Sequence, residues 1–165
     1  MVQYAHMKMT LGGIQFASVI RVNASIERTF DLFSDPKQWR NWMVGVKRVY
    51  RVEGEMQSPG CVTKLVLEDG IKKITILQEL IEWERPKKLV VLVSHQHYTC
   101  HMTIQFIKQG GRTKVICNNA VRWTHLGYIL VGWFFGVLMR KNQLTEWDRF
   151  KQYCESHSNY DEPKT

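Results

Sequence analysis

Turn signals divide residues 46–123 into six short segments, and in some of those segments apolar residues recur every second position. The breaks fall at Gly54, Ser58-Pro59-Gly60, Glu68-Asp69-Gly70, Arg85-Pro86-Lys87 and Gln109-Gly110-Gly111, with a weaker one between His97 and Thr99. Asp69-Gly70 and Gly110-Gly111 suit tight hairpins, whose central residues must accept positive φ. Cys100, Met102, Ile104 and Phe106 share one face, against Thr99, His101, Thr103 and Gln105 on the other. Val115, Cys117, Asn119 and Val121 likewise oppose Lys114, Asn118 and Arg122, with Ile116 and Ala120 as exceptions. One apolar and one wet face point to an antiparallel sheet covered on one side, rather than a parallel sheet buried on both.

The flanks supply the cover. Residues 1–12 show no clear period and are expected to form a loose leader. From Gly13 a strand places Phe16, Ser18, Ile20 and Val22 together, opposite Gln15 and Arg21. Asn23-Ala24-Ser25 ends it and starts a helix that buries Phe30 and Phe33, with Glu27 suited to the positive end of the dipole. Asp35-Pro36 restarts the chain as a second helix to about Met43, because Asp supplies a capping oxygen and Pro fits the first helical position. Trp39 and Trp42 share a side of it.

At the other end, the stretch from Leu126 to Met139 carries no charge over fourteen residues. A membrane span needs about 20 apolar residues, so this stretch is too short and reads as part of a long amphipathic helix. Its stripe runs through Leu130, Trp133, Val137, Leu144, Trp147 and Cys154, interrupted by Arg140 and Lys151. Gly127, Gly132 and Gly136 each weaken a helix by up to about 1 kcal/mol relative to Ala, which fits a broken segment. Residues 157–165 are a polar tail, so a single domain over residues 13–156 is expected.

With 165 residues and 44% hydrophobic content, the chain is one domain with a real core. Its net charge of +8 raises nucleic acid as a partner, but Lys47-Arg48-Arg51, Lys72-Lys73, Arg85-Lys87-Lys88 and Arg140-Lys141 are scattered. With no long basic run, zinc-finger spacing or RNA-binding motif, nucleic acid is not expected. Cys61, Cys100, Cys117 and Cys154 are far apart, so neither a metal nor a cofactor is expected. Without a signal-peptide core at the start, the expectation is a cytoplasmic protein with reduced thiols.

The order of elements resembles a known superfamily. Residues 22–42, reading from Val22-Asn23-Ala24-Ser25 through Asp35-Pro36 to Trp39 and Trp42, are similar to the opening of START-like (SRPBCC) proteins. Ser25 stands where that family more often has Pro, and Phe30 where it more often has Trp. Leu80 to Leu89 resembles the family's corner between strands, Gly110-Gly111-Arg112-Thr113-Lys114-Val115 its late hairpin, and Leu144 to Glu155 its closing helix. The resemblance covers residues 14–156. It implies an α+β helix-grip fold, in which a curved seven-stranded antiparallel sheet wraps the last helix over a cavity. The family includes polyketide cyclases, lipid-transfer proteins and birch-pollen-allergen-like carriers.

A cavity in such a fold would be lined by inward sheet positions: Ile74, Ile76, Gln78, Met102, Ile104, Val115, Cys117 and Asn119. Trp39, Trp42, Leu130, Trp133 and Val137 would close it. The plainer alternative is a collapsed core. Gln78 and Asn119 are polar on apolar faces, and either satisfy each other or water, or orient a ligand. His95, His97 and His101 form a cluster in which His95 or His101 is a weak candidate for acid–base work, with rim histidines as the alternative. Arg122 ends the last strand and either holds an anionic group or faces solvent. The segment around Trp133 is either core or a gate that touches a membrane surface.

No nucleophilic triad, P-loop or dinucleotide fingerprint is present. The leading expectation is therefore a carrier of a small hydrophobic molecule: a lipid, an isoprenoid or a polyketide-like aromatic. A cyclase, aromatase or dehydratase using the same cavity is the alternative, and a protein-interaction module the third reading. The sequence is silent on oligomeric state.

Overall fold

The computed structural model describes residues 3–10, 12–69, 72–125 and 127–158, with the side chains of 3–6, 69, 72, 128–131, 133 and 135 left undescribed. Strands β1 (Gln3–Thr10) and β2 (Gly13–Val22) are followed by helices α1 (Ile26–Ser34) and α2 (Trp39–Trp42). Then come β3 (Val46–Glu53), β4 (Val62–Asp69), β5 (Lys72–Glu84), β6 (Lys88–His95), β7 (Tyr98–Gln109), β8 (Arg112–Trp123) and the long helix α3 (Gly127–Ser156). All neighbouring strands pair antiparallel in one sheet of order β1-β2-β8-β7-β6-β5-β4-β3. The fold is the α+β arrangement that the element order implies, with one strand more.

That extra strand corrects the reading of residues 1–12. β1 pairs with β2 from Gln3↔Val19 to Thr10↔Gly13, and Gly12 turns the hairpin at φ +83°. A register shift between Ala5 and Met7 breaks the alternation, so the period-two signal is lost even though the backbone is paired.

Side-chain alternation decides which face is covered. Along β2, Ile14, Phe16, Ser18, Ile20 and Val22 are all buried, while Gln15 and Arg21 are exposed. Opposite them in register, Val115, Cys117, Asn119 and Val121 of β8 are buried too. The connection from β2, second from one edge, to β3 at the other edge contains α1 and α2. Ser25 caps α1, its Oγ accepting from the Arg28 N–H at 3.2 Å. Asp35 then starts the α2 turn, accepting from the Lys37 N–H at 2.9 Å. The Trp39 indole donates back to the Phe33 carbonyl at 2.7 Å, locking the corner between the helices.

An aromatic cluster joins this corner to α3. Phe33 stacks on Trp42 (centroids 5.4 Å apart) and on Trp147 (5.4 Å), while Phe30 meets Trp83 and Phe106 edge-on at 5.0 and 5.1 Å. Phe150 packs edge-on against Phe33 and Trp42. Each such pair adds about 0.5–1.5 kcal/mol beyond area burial. Polar ties hold the same junction: Arg149 Nε donates to the Trp42 carbonyl at 3.0 Å, and the Tyr153 hydroxyl to Gln38 Oε1 at 2.5 Å.

Helix α3 is continuous through the glycine-rich stretch, where the sequence suggested a break. Gly132 and Gly136 are buried on its sheet side. A Cβ at Gly132 would sit 2.5 Å from the Trp123 indole nitrogen, and one at Gly136 would sit 2.3 Å from Ile14 Cδ1. The glycines thus let the helix approach β2 and β8. Val137 and Leu138, by contrast, lie on the outer side with Phe134, which is 69% exposed. Among the described residues no helix is long and apolar enough to cross a membrane.

This close approach is testable. Replacing Gly136 by Ala gains about 1 kcal/mol of helix propensity but overpacks a filled site, which costs about 1–3 kcal/mol. Gly136→Ala should therefore lower the thermal midpoint, and adding Ile14→Val, which removes the clashing methyl, should restore part of it. A stabilising Gly136→Ala would contradict the packing.

Candidate functional site

The loop between β3 and β4, residues 54–61, lies against the helical corner and forms one side of a partly open cavity. Its shape depends on left-handed backbone at Gly54 (φ +76°) and Gly60 (φ +86°), and at Gln57 (φ +63°), where a side chain pays for it with strain. At Gly54 a Cβ would also lie 2.7 Å from the Gly60 carbonyl oxygen, so no larger residue closes the loop. The far end of the loop is anchored: the Gly60 N–H donates to Leu80 O at 2.8 Å, and the Leu80 N–H to Cys61 O at 2.9 Å. Met56 and Gln57 form the tip. Met56 sulfur touches the Cys61 thiol at 3.8 Å and its side chain is 37% exposed.

Beneath the tip lies a cavity of about 50 Å³. Phe33, Ser34, Pro36 and Trp39 of the helical corner form one wall, and Met56, Gln57 and Cys61 the roof. Thr63, Gln78, Leu80, Trp83, Leu89 and Val91 of β4, β5 and β6 form the floor. The lining is aliphatic and aromatic with the polar side chains of Ser34, Gln57, Thr63 and Gln78, and holds no histidine, carboxylate or basic group. Adjoining it lies an open groove of about 350 Å³, lined by Pro36, Lys37, Arg40, Val49, Arg51, Met56 and Thr63. Pro36, Met56 and Thr63 belong to both spaces, so the two adjoin there.

Under the middle of α3 a polar network crosses the interior. The amides of Asn119 and Gln143 pair reciprocally, at 3.2 Å from Asn119 Nδ2 to Gln143 Oε1 and 3.1 Å from Gln143 Nε2 to Asn119 Oδ1. Ser18 Oγ donates to Gln143 at 3.4 Å, and the Cys100 and Cys117 thiols face Asn119 Oδ1 at 3.9 and 3.7 Å. Burial pushes both thiols up to about 12, so neither is a thiolate near neutrality. Burial also pushes the Tyr98 hydroxyl up to about 12.

The histidine cluster sits at the β6–β7 hairpin, away from both spaces. The rings of His95 and His97 are 5.1 Å apart, and burial first, then the charge of His97, holds His95 below its ordinary value. His101 is exposed on the outer face, opposite Leu92 and Ala120. Among the described residues, no group of three His, Cys, Asp or Glu side chains converges on a metal-sized site.

The sequence from residue 13 to residue 155 matches the family model for polyketide cyclase / dehydrase and lipid transport. The chain belongs to that family. No curated protein matches the sequence, but solved structures do. The chain is similar to Ara h 8.0201 (13% identity, TM-score 0.70, covering 88% of this chain and 99% of that one). It is similar to TTHA0849 from Thermus thermophilus (18% identity, TM-score 0.72, 87% and 99% covered). It is also similar to the di-domain ARO/CYC StfQ from the steffimycin biosynthetic pathway (9% identity, TM-score 0.71), covering 88% of this chain and 51% of that one. At these identities the likenesses establish the fold.

In this polyketide-cyclase and lipid-transport family member, the residues singled out in the sequence separate into groups. Trp39 and Gln78 line the cavity. Ile104, Val115, Cys117 and Trp42 are buried core, with Ile76 and Met102 half-buried against it, and Asn119 is engaged by Gln143. Val137 is 43% exposed and Arg122 is exposed; neither lines the cavity or the groove. The side chains of Leu130 and Trp133 lie outside the described residues. Sequence reasoning missed Met56 and Gln57, which lie between the turn signals at Gly54 and Ser58-Pro59-Gly60, and Gln143. A polar residue four before the buried Trp147 was the available signal for the last.

Glu146 beside this interior gives a pH signature. Burial pushes its carboxyl from the ordinary 4.5 up to about 7, against the lowering effects of the Val44 N–H and Arg149. The folded state then keeps a proton that the unfolded state has lost between those values. Stability is full below about 4.5 and falls as the pH rises to about 7. Glu146→Gln should flatten this fall and gain up to about 3 kcal/mol at alkaline pH, read by denaturant unfolding at about pH 5 and about pH 8. Identical pH dependence in both proteins would contradict the burial.

Proposed function

We propose that the protein binds and carries a small hydrophobic molecule in the space beneath loop 54–61. The observation that carries this reading is the aromatic and aliphatic cavity between the helical corner and β4–β6, walled by Trp39, Trp83, Leu80, Leu89 and Val91. As it stands, about 50 Å³ holds only a few waters, whereas ligand pockets span about 300–1,000 Å³. A ligand therefore enters by displacing Met56, which merges the cavity with the groove outside. Met56 suits that role: a flexible side chain whose one polar contact is a weak one to Cys61. Burial of apolar ligand surface at about 25 cal/mol per Å² then drives binding, and Gln78 and Ser34 supply the few polar contacts that set orientation.

The family description and the StfQ likeness make a cyclase-type reaction the second reading. It needs an acid–base group at the ligand, and the cavity lining offers none, with His101 on the outer face and His95 at a distant hairpin. The lining therefore favours carriage over chemistry. The ligand class we favour is lipid, isoprenoid or polyketide-like aromatic.

Native mass spectrometry of the freshly purified protein, followed by organic extraction, is the direct test. A one-to-one complex with an extractable apolar molecule is expected, as is displacement of a fluorescent fatty-acid probe with quenching of tryptophan emission. A protein that is empty and leaves the probe unbound contradicts the carrier reading.

A further inference from the structure

We infer that the ligand is an anionic amphiphile, whose apolar body lies in the inner cavity and whose head is held in the groove by Lys37, Arg40 and Arg51. The inference rests on the binding reading above and adds the class of head group. The groove is lined by these three cations with Pro36, Val49, Met56 and Thr63, and by no carboxylate. The cations arrive from separate elements: Lys37 from the corner between the helices, Arg40 from α2 and Arg51 from β3.

Arg51 is the most telling of the three. It pairs across the strands with Thr63, which is 5% exposed, and Val49 pairs with the fully buried Leu65. Arg51 therefore stands on the covered face of the sheet, at a position where the alternation asks for an apolar side chain. Charges on edge strands do discourage edge-to-edge aggregation, but that role needs neither Lys37 nor Arg40 on the facing wall. Lys47, Arg85, Lys87, Lys88 and Lys151 are each paired with a carboxylate. Lys37, Arg40 and Arg51 have no such pairing among the described residues, and so hold their charge available to a ligand.

The geometry joins the two spaces through Pro36, Met56 and Thr63. A molecule that pushes Met56 aside has its apolar portion against Trp39 and Trp83 and its outer end among three cations. Converging cations in a concave, partly apolar site act more strongly than the same charges scattered over a surface. A carboxylate or a phosphoryl group satisfies this chemistry equally.

The test compares dodecanoate, dodecyl phosphate and dodecanol below their aggregation limits, by calorimetry on the whole protein. The wild type should bind the better anion about tenfold or more tighter than the alcohol, or about 1.4 kcal/mol, and the gap should shrink as salt is raised. Whichever anion binds tighter identifies the head as carboxylate or phosphoryl. In the Lys37→Gln/Arg40→Gln/Arg51→Gln variant the anion preference should vanish while dodecanol binding and the thermal midpoint stay unchanged. Single Arg51→Gln should remove the largest part. Equal wild-type affinity for anion and alcohol overturns the head-group inference and leaves the carrier reading standing, as does a preference that survives in the triple variant. Failure to bind any of the three amphiphiles overturns the carrier reading and the inference with it.

Discussion

Phe33 is the point on which the covered side of the sheet depends. Its ring stacks between Trp42 and Trp147, and so ties the helical corner that crosses the sheet to the helix that closes it. Phe150 of α3 adds a direct edge-on contact to Trp42 at 4.9 Å, and Arg149 a hydrogen bond to the Trp42 carbonyl, so the junction is an aromatic cluster with Phe33 at its centre. Phe33 is also the inner wall of the cavity. The same ring thus sets the position of α3 on one side and the volume left for a ligand on the other.

The interior is divided by this cluster. Under α3 the Asn119–Gln143 amide pair joins β8 to the helix and satisfies both amides at once. A satisfied pair of this kind resists intrusion, since breaking it leaves buried polar groups unpaired at about 1–3 kcal/mol each. On the far side of Phe33 the cover is a loop whose tip rests on side-chain contacts of Met56. The proposed entry under the loop is the one whose opening disturbs few hydrogen bonds.

Much of the fold was legible because strands in a half-covered sheet carry a strict period of two. The faces of β2, β7 and β8 follow directly from Phe16, Cys100 and Val115 and their alternate neighbours. β1 was not legible, since its irregularity between Ala5 and Met7 interrupts that period. The rotation of α3 was also hidden: residues 126–139 are apolar on every side, so the stripe through Val137 and the one through Gly132 and Gly136 look alike until the sheet chooses. It chose the glycines, because Ile14 and Trp123 project from it. The candidate site was legible only at Trp39 and Gln78. Its roof comes from a loop with no periodicity, and its shape follows from packing against strands distant in sequence.

The claim that a ligand lies beneath loop 54–61, rather than under α3, is tested most directly by backbone amide NMR during titration with dodecanoate. Binding there should shift the amides of residues 36–40, 54–63 and 78–91, and leave those of Asn119, Gln143 and His95 close to their free positions. Shifts concentrated on β8 and the face of α3 around Gln143, with the loop undisturbed, would contradict it.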